Sequence, residues 1–148
     1  MLNPLEQQIV DLLQAQRFMV LCTQSEQGPY CSLLAFATSQ DLKQVYFCTR
    51  RRTRKFQNLL QEPRVSFLVD DRQNQAQDLQ QAQALTGIGV AAETAKSDFA
   101  AEAFLARHSE LTDFLQEKDC ALVKVDVQSY FLVQKFEAVQ RLDLGGNM

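Results

Sequence analysis

The chain has 148 residues, 46% of them hydrophobic and 22% charged, with a formal net charge of −3. That length suits a single domain, residues 1–148, with a substantial core, and the apolar share excludes a disordered chain. The slight acidity gives no reason to expect bulk attraction to nucleic acid or an anionic membrane, and no run approaches the ~20 apolar residues of a membrane-spanning helix.

Asn3-Pro4-Leu5-Glu6 reads as a helix start, with Asn3 as cap, Pro4 in the first turn and Glu6 three residues beyond the cap. This N-terminus has no charged segment followed by an apolar one, so a cytoplasmic location is expected. Leu5, Ile9, Leu12 and Leu13 form one apolar stripe to about residue 16. Strands are expected at residues 18–23, 30–38 and 45–49, joined by turns at 25–29 and 39–41 as an antiparallel meander. Thr53 caps a short helix carrying Phe56, Leu59 and Leu60. Pro63 ends it ahead of a strand at 65–69. Residues 70–83 are polar and rich in glutamine, a solvated excursion with a helical turn near 78–83. A strand at 85–92 contains Gly87 and Gly89, which mark a bend or a close approach. Ser97 is the expected cap of a helix with Phe99, Ala103 and Ala106 on one side and Phe104 beside them. Leu111, Phe114 and Leu115 suggest another helix. Strands at 121–127 and 130–142 and a mobile tail at 145–148 complete the chain. The fold class is mainly β: a six-stranded antiparallel split barrel with flanking helices.

The run Val45-Tyr46-Phe47-Cys48-Thr49-Arg50-Arg51-Arg52-Thr53-Arg54-Lys55 carries the strongest functional signal. A strand ends in a hydroxyl residue, five of the next six residues are basic, and an amphipathic helix follows. Hydroxyls, cations and free backbone N–H groups meet at one point, as the binding of phosphate requires. The rest of the chain has few candidate catalytic side chains, so the chemistry is expected to sit in a bound phosphorylated cofactor.

The order of motifs resembles the FMN-binding split barrel of the pyridoxamine 5′-phosphate oxidase-like family. The carrying residues are Pro29-Tyr30-Cys31-Ser32-Leu33-Leu34-Ala35-Phe36 and Val45-Tyr46-Phe47-Cys48-Thr49. Thr53-Arg54-Lys55 with Asn58-Leu59 follows, then Pro63-Arg64-Val65-Ser66, Val69-Asp70-Asp71-Arg72 and Thr86-Gly87-Ile88-Gly89-Val90-Ala91. The resemblance implies a homodimer with FMN at the subunit interface. It implies that Cys31, Ser32, Leu33 and Leu34 border the flavin ring and that Cys48, Thr49, Thr53, Arg54 and Lys55 surround the phosphate and ribityl chain. The C-terminal arginine and histidine that hold substrate in true pyridoxamine phosphate oxidases have no match in residues 141–148, so the vitamin substrate is not implied.

Each signal has a plainer reading. The basic run could be a solvated turn, or a weak nucleic-acid patch with Phe47 and Phe56 as stacking groups. His108, the only histidine, reads as a helix-capping or surface residue, with haem ligation as the alternative. Asp70-Asp71-Arg72 reads as a surface turn with a local ion pair. Cys22, Cys31, Cys48 and Cys120 show no Cys-x-x-Cys spacing and lie in apolar strand contexts. They read as buried free thiols, with a zinc site or a disulfide framework as the alternative, and Cys31 and Cys48, as small packing residues, need no redox role. Tyr130, Phe131 and Phe136 read as core or dimer interface. The leading functional reading is a flavin-dependent oxidoreductase acting on a small-molecule substrate, with no catalytic residue assigned. The alternatives are a non-catalytic flavin or haem binding or sensor protein, or a relative that binds the deazaflavin F420.

Overall fold

The computed structural model describes residues 1–145, so most of the tail expected at 145–148 lies outside the described residues. Helix α1 (Pro4–Ala15) begins with the anticipated capping box: Glu6 N–H donates to Asn3 Oδ1 (2.8 Å) and Asn3 N–H donates to Glu6 Oε1 (2.9 Å). Its buried face is Ile9, Leu12 and Leu13. The hairpin β1 (Phe18–Ser25) and β2 (Gly28–Ala35) follows. It turns at Gly28, whose φ of +115° is open to glycine and strained for other residues. The expected strand at 30–38 breaks at Phe36, and its remainder is β3 (Ala37–Thr38).

Then come β4 (Gln44–Arg50), α2 (Arg54–Gln61), β5 (Arg64–Asp70), the single turn α3 (Asp78–Gln81) and β6 (Gln83–Thr94). Helix α4 (Phe99–Arg107), a 3-10 turn (Ser109–Leu111), α5 (Thr112–Gln116), β7 (Cys120–Gln134) and β8 (Ala138–Asp143) complete the chain. The strand path is β2-β1-β5-β6-β7-β4-β3, antiparallel throughout, with β8 paired to β7 off that path. Segments β2 and β3 are separated only by Phe36, so the two ends of the path are joined through the chain. This curls the sheet into a split barrel. Counting β2 and β3 as one bent strand gives the six barrel strands that were anticipated, and β8, which overlaps the strand expected at 130–142, pairs with β7 outside that set.

Alternation along each strand divides inside from outside. Leu21, Phe47, Phe67, Leu85, Val123 and Tyr130 fill the barrel. A second cluster, including Tyr46, Cys48, Phe104, Leu115 and Leu122, lies between the outer face of β4 and β7 and helices α4 and α5.

Three details of the sequence reading change. The cap of α4 is Asp98, whose Oδ1 accepts from Ala100 N–H (2.9 Å), rather than Ser97. Its buried side is Ala100, Ala101 and Phe104, with Phe99 exposed. The segment is apolar nearly all round, so its periodicity does not select a face. The expected strands at 121–127 and 130–142 are divided elsewhere. Residues 128–129 form a bulge inside β7, where pairing jumps from Gly89↔Val127 to Ile88↔Ser129. The reversal comes at Lys135 and Phe136, both left-handed (φ 52° and 60°), in a turn without glycine, proline or asparagine to announce it.

The two strand glycines are sites of close approach. A Cβ on Gly87 would lie 2.1 Å from the Phe67 ring, and one on Gly89 2.3 Å from the Asp126 carbonyl oxygen. The second obstacle is backbone and cannot swing away. Gly89→Ala is expected to destabilise the fold by roughly 1–3 kcal/mol, as overpacking does, measured by denaturant unfolding.

Candidate cofactor site

The site is built where β4 runs out. Thr53 closes the turn: its Oγ1 donates to Arg50 O (2.7 Å) and accepts Phe56 N–H (3.4 Å). Thr49 Oγ1 lies 3.1 Å from Thr53 Oγ1, whose own proton is already committed, so Thr49 donates. Thr49 is 3% exposed, which makes it a brace for the turn. The turn leads into the free N–H groups at the start of α2, whose first two residues are Arg54 and Lys55.

Tertiary structure sorts the cations. Arg50 grips Glu117 with two bonds (2.8 and 3.3 Å) and lies over the Phe114 ring. Arg51 grips Glu93 (2.7 and 2.5 Å), and Arg52 lies 3.7 Å from Asp119. Among the described residues, Arg54 and Lys55 form no ion pair within 4.0 Å. Arg54 lies over the Tyr30 ring at 5.2 Å, which ties the start of α2 to β2. Lys55 is partly buried, and desolvation lowers its pKa below the usual lysine value. A hollow of about 280 Å³ beside Arg54 is lined by Ser25, Glu26, Gln27, Asn58 and Gln61.

Of the sequence-selected residues, Thr49 and Thr53 meet side by side, and Arg54 and Lys55 follow in the first turn of α2. Ser32 shares the inward side of β2 with Leu34, and Leu34 is buried in the barrel. Cys31 and Leu33 point outward and are exposed. Cys48 faces away from Thr49, beneath α4, where the neighbouring Cys120 thiol and burial push its thiol pKa up.

Sequence reasoning assigned no role to Asn58. This residue is buried on the core side of α2, and its Nδ2 donates to Thr23 Oγ1 (3.1 Å), which in turn donates to Tyr30 O (3.4 Å). One polar bridge thus links α2, β1 and β2. An amide between Phe56 and Leu59 on an otherwise apolar stripe was the available signal.

The nucleic-acid reading of the basic run loses its stacking groups, because Phe47 and Phe56 are buried and three of the arginines are paired. Asp70 and Arg72 form the anticipated local pair at 3.0 Å. No group of three or more metal-ligating side chains occurs among the described residues, and no described helix is long and apolar enough to cross a membrane.

A family model described as pyridoxamine 5′-phosphate oxidase matches residues 5–134. The chain belongs to that family. No curated protein matches it. A haem-binding protein from Mycobacterium smegmatis shares the fold with a TM-score of 0.80 and 17% identity, over 97% of this chain and 60% of that one. HutZ, the haem storage protein of Vibrio cholerae, aligns with a TM-score of 0.70 and 24% identity, over 84% of this chain and 91% of that one. An FAD-binding protein from Mesorhizobium loti aligns with a TM-score of 0.70 and 19% identity, over 88% and 92%. This chain therefore spans about 60% of the length of the mycobacterial protein.

His108 in this pyridoxamine 5′-phosphate oxidase-family chain is the C-cap of α4, as one reading had it, but it is 3% exposed and not on the surface. Its Nε2–H donates to Phe36 O (2.7 Å), and its ring packs 5.0 Å from that of Phe104. Arg107 beside it reaches the carbonyls of Gln14 (3.0 Å) and Gln16. The pair holds α4 against the break between β2 and β3, so the imidazole is committed to the core.

Asn58→Leu, which leaves the Thr23 hydroxyl without its donor, is expected to cost about 1–3 kcal/mol in chemical denaturation.

Proposed function

We propose that residues 1–148 form an FMN-binding unit that works as a homodimeric, flavin-dependent oxidoreductase on a small molecule. The carrying observation is the pair of uncompensated cations, Arg54 and Lys55, at the start of α2, in a run whose other arginines are matched to carboxylates. A phosphate dianion fits this corner. The Arg54 guanidinium offers two parallel donors, Lys55 a point charge, and Thr53 with the helix N–H groups a set of fixed dipoles. Charge-assisted bonds of this kind contribute about 1.5–3 kcal/mol each, so three or four of them, less the cost of association, are compatible with micromolar or tighter binding.

The flavin ring would then lie along β2, where backbone groups of Cys31, Ser32, Leu33 and Leu34 are the bordering atoms. Thr49 would act through Thr53, and Cys48 through its backbone position in β4. A bound flavin supplies hydride or electron transfer, which leaves the protein to bind, orient and shield it. Neutralisation of Arg50 and Arg51 by Glu117 and Glu93 favours FMN over F420, because those arginines are already engaged and do not await an acidic tail.

Homodimerisation is supported by the outer face of β1, β2 and β5, which no helix covers. There Phe18, Val20, Leu33 and Leu68 present an apolar surface, and Leu33 is 72% exposed. Leu33→Glu is expected to convert a dimer into a monomer in sedimentation equilibrium. An unchanged dimer would place the interface elsewhere.

The haem reading draws support from the haem-binding and haem-storage proteins that share the fold. A haem site on this chain would take its axial ligand from a residue other than His108, whose ring is held in the core. A Soret band that appears on haem addition and vanishes in His108→Ala would reverse that conclusion.

FMN titration followed by fluorescence tests the main proposal. The Arg54→Ala/Lys55→Ala variant is expected to bind at least about tenfold more weakly, while Arg51→Ala binds like the wild type. Equal affinity in the double variant would remove the phosphate from this corner. Because burial lowers the Lys55 pKa, its charge is lost as pH rises through a value below the ordinary lysine range. FMN affinity should fall along the same limb, and Lys55→Met should lack it.

A further inference from the structure

A long side chain on the first residue of a helix samples several rotamers, and a site that relies on Arg54 has to restrain it. Among the described residues no carboxylate does so, since Arg54 has no ion pair within 4.0 Å. Its contact is with an aromatic face. The guanidinium carbon lies 5.2 Å from the centroid of the Tyr30 ring, within the range of a cation–π attraction.

The ring is itself held. Tyr30 stands directly opposite Thr23 in the β1–β2 register, and the Thr23 hydroxyl donates to the Tyr30 carbonyl (3.4 Å). Thr23 Oγ1 also accepts from Asn58 Nδ2 (3.1 Å), and Asn58 lies one turn beyond Arg54 on the same side of α2. One side of α2 thus meets one cross-strand pair twice, Asn58 on Thr23 and Arg54 on Tyr30. Strand alternation puts Tyr30 on the opposite side of the hairpin from Cys31 and Leu33. Both contacts are within the chain, so neither depends on what covers the outer face.

We propose that Tyr30 is a positioning residue that sets the preference of the site for phosphorylated over unphosphorylated flavin, an inference that rests on the phosphate reading of the Arg54 corner. An aromatic face attracts the cation without using up its hydrogen-bond donors. A carboxylate in the same place would neutralise Arg54, as Glu117 and Glu93 neutralise Arg50 and Arg51, and would repel the phosphate. The ring restrains the guanidinium and leaves both its charge and its N–H edge for the oxyanion. Rotamer freedom that phosphate would otherwise have to remove is already lost in the free protein. Riboflavin, which has no phosphate, gains nothing from this arrangement.

The test titrates the full chain with FMN and with riboflavin and reads the ratio of the two dissociation constants. Wild type is expected to favour FMN. Tyr30→Leu is expected to weaken FMN about two- to fivefold and to leave riboflavin unchanged. Tyr30→Phe, which keeps the ring face, should restore the ratio, and Tyr30→Leu should have no further effect in an Arg54→Ala background. A wild type without preference would overturn the phosphate reading of the corner and this proposal with it. A wild-type preference that Tyr30→Leu retains, or that Tyr30→Phe loses as fully as Tyr30→Leu, would overturn the positioning role alone. Where Tyr30→Leu does not fold, Arg54→Lys carries the test. It keeps the charge and loses the planar fork, so the preference should shrink, and an unchanged preference would overturn the proposal.

Discussion

The backbone ladder of β7 carries the molecule. Its first half pairs with β4 along one edge, nearly its whole length pairs with β6 along the other, and its second half also supports β8. Every amide in that ladder must find a partner once buried, so the strand's register sets which side chains face the barrel and which face α4 and α5. The bulge opposite Ile88 and Gly89 bends β7 partway along, and Gly89 permits this because its missing side chain leaves room for the Asp126 carbonyl. The candidate site depends on this ladder: β4 is held in place by β7, and the turn that presents Arg54 and Lys55 is the continuation of β4.

A barrel made from one curled sheet has to manage the seam where its ends meet. Here the seam is the break at Phe36. Phe36 N–H donates to Arg17 O, its carbonyl accepts the His108 imidazole, and Arg107 lies over its ring. The only histidine is thereby used for closure. Asn58 has the matching role on the other side, joining α2 to the β1–β2 hairpin through Thr23. Both are polar groups buried at joints between elements, and each is satisfied by a partner far away in sequence.

Ion pairing divides a single run of basic residues into paired and unpaired members. Arg50, Arg51 and Arg52 pair with Glu117, Glu93 and Asp119 respectively and fasten the turn to the end of β6 and to the connection between α5 and β7. As exposed pairs they contribute little to stability individually. Their larger consequence is that they cancel the charge of the run except at Arg54 and Lys55. What remains is a small, localised positive corner at a helix start, well suited to one compact anion and poorly suited to a polyanion.

The sequence by itself determined the alternation of buried positions, the capping box of α1, the Thr53 cap and the family, because each depends on residues within a few positions of one another or on the order of motifs along the chain. The exposure of Cys31, the burial of His108, the division of β7 and β8 and the bond from Asn58 to Thr23 came only from tertiary structure. The resemblance had already singled out Arg54 and Lys55 among the five basic residues; tertiary structure added that the other three are paired with carboxylates. The carboxylates that neutralise the other three lie about forty to seventy positions away, and only the antiparallel register brings them alongside. Local pattern states which groups a segment offers; long-range pairing decides which of them are left unmatched to meet a ligand.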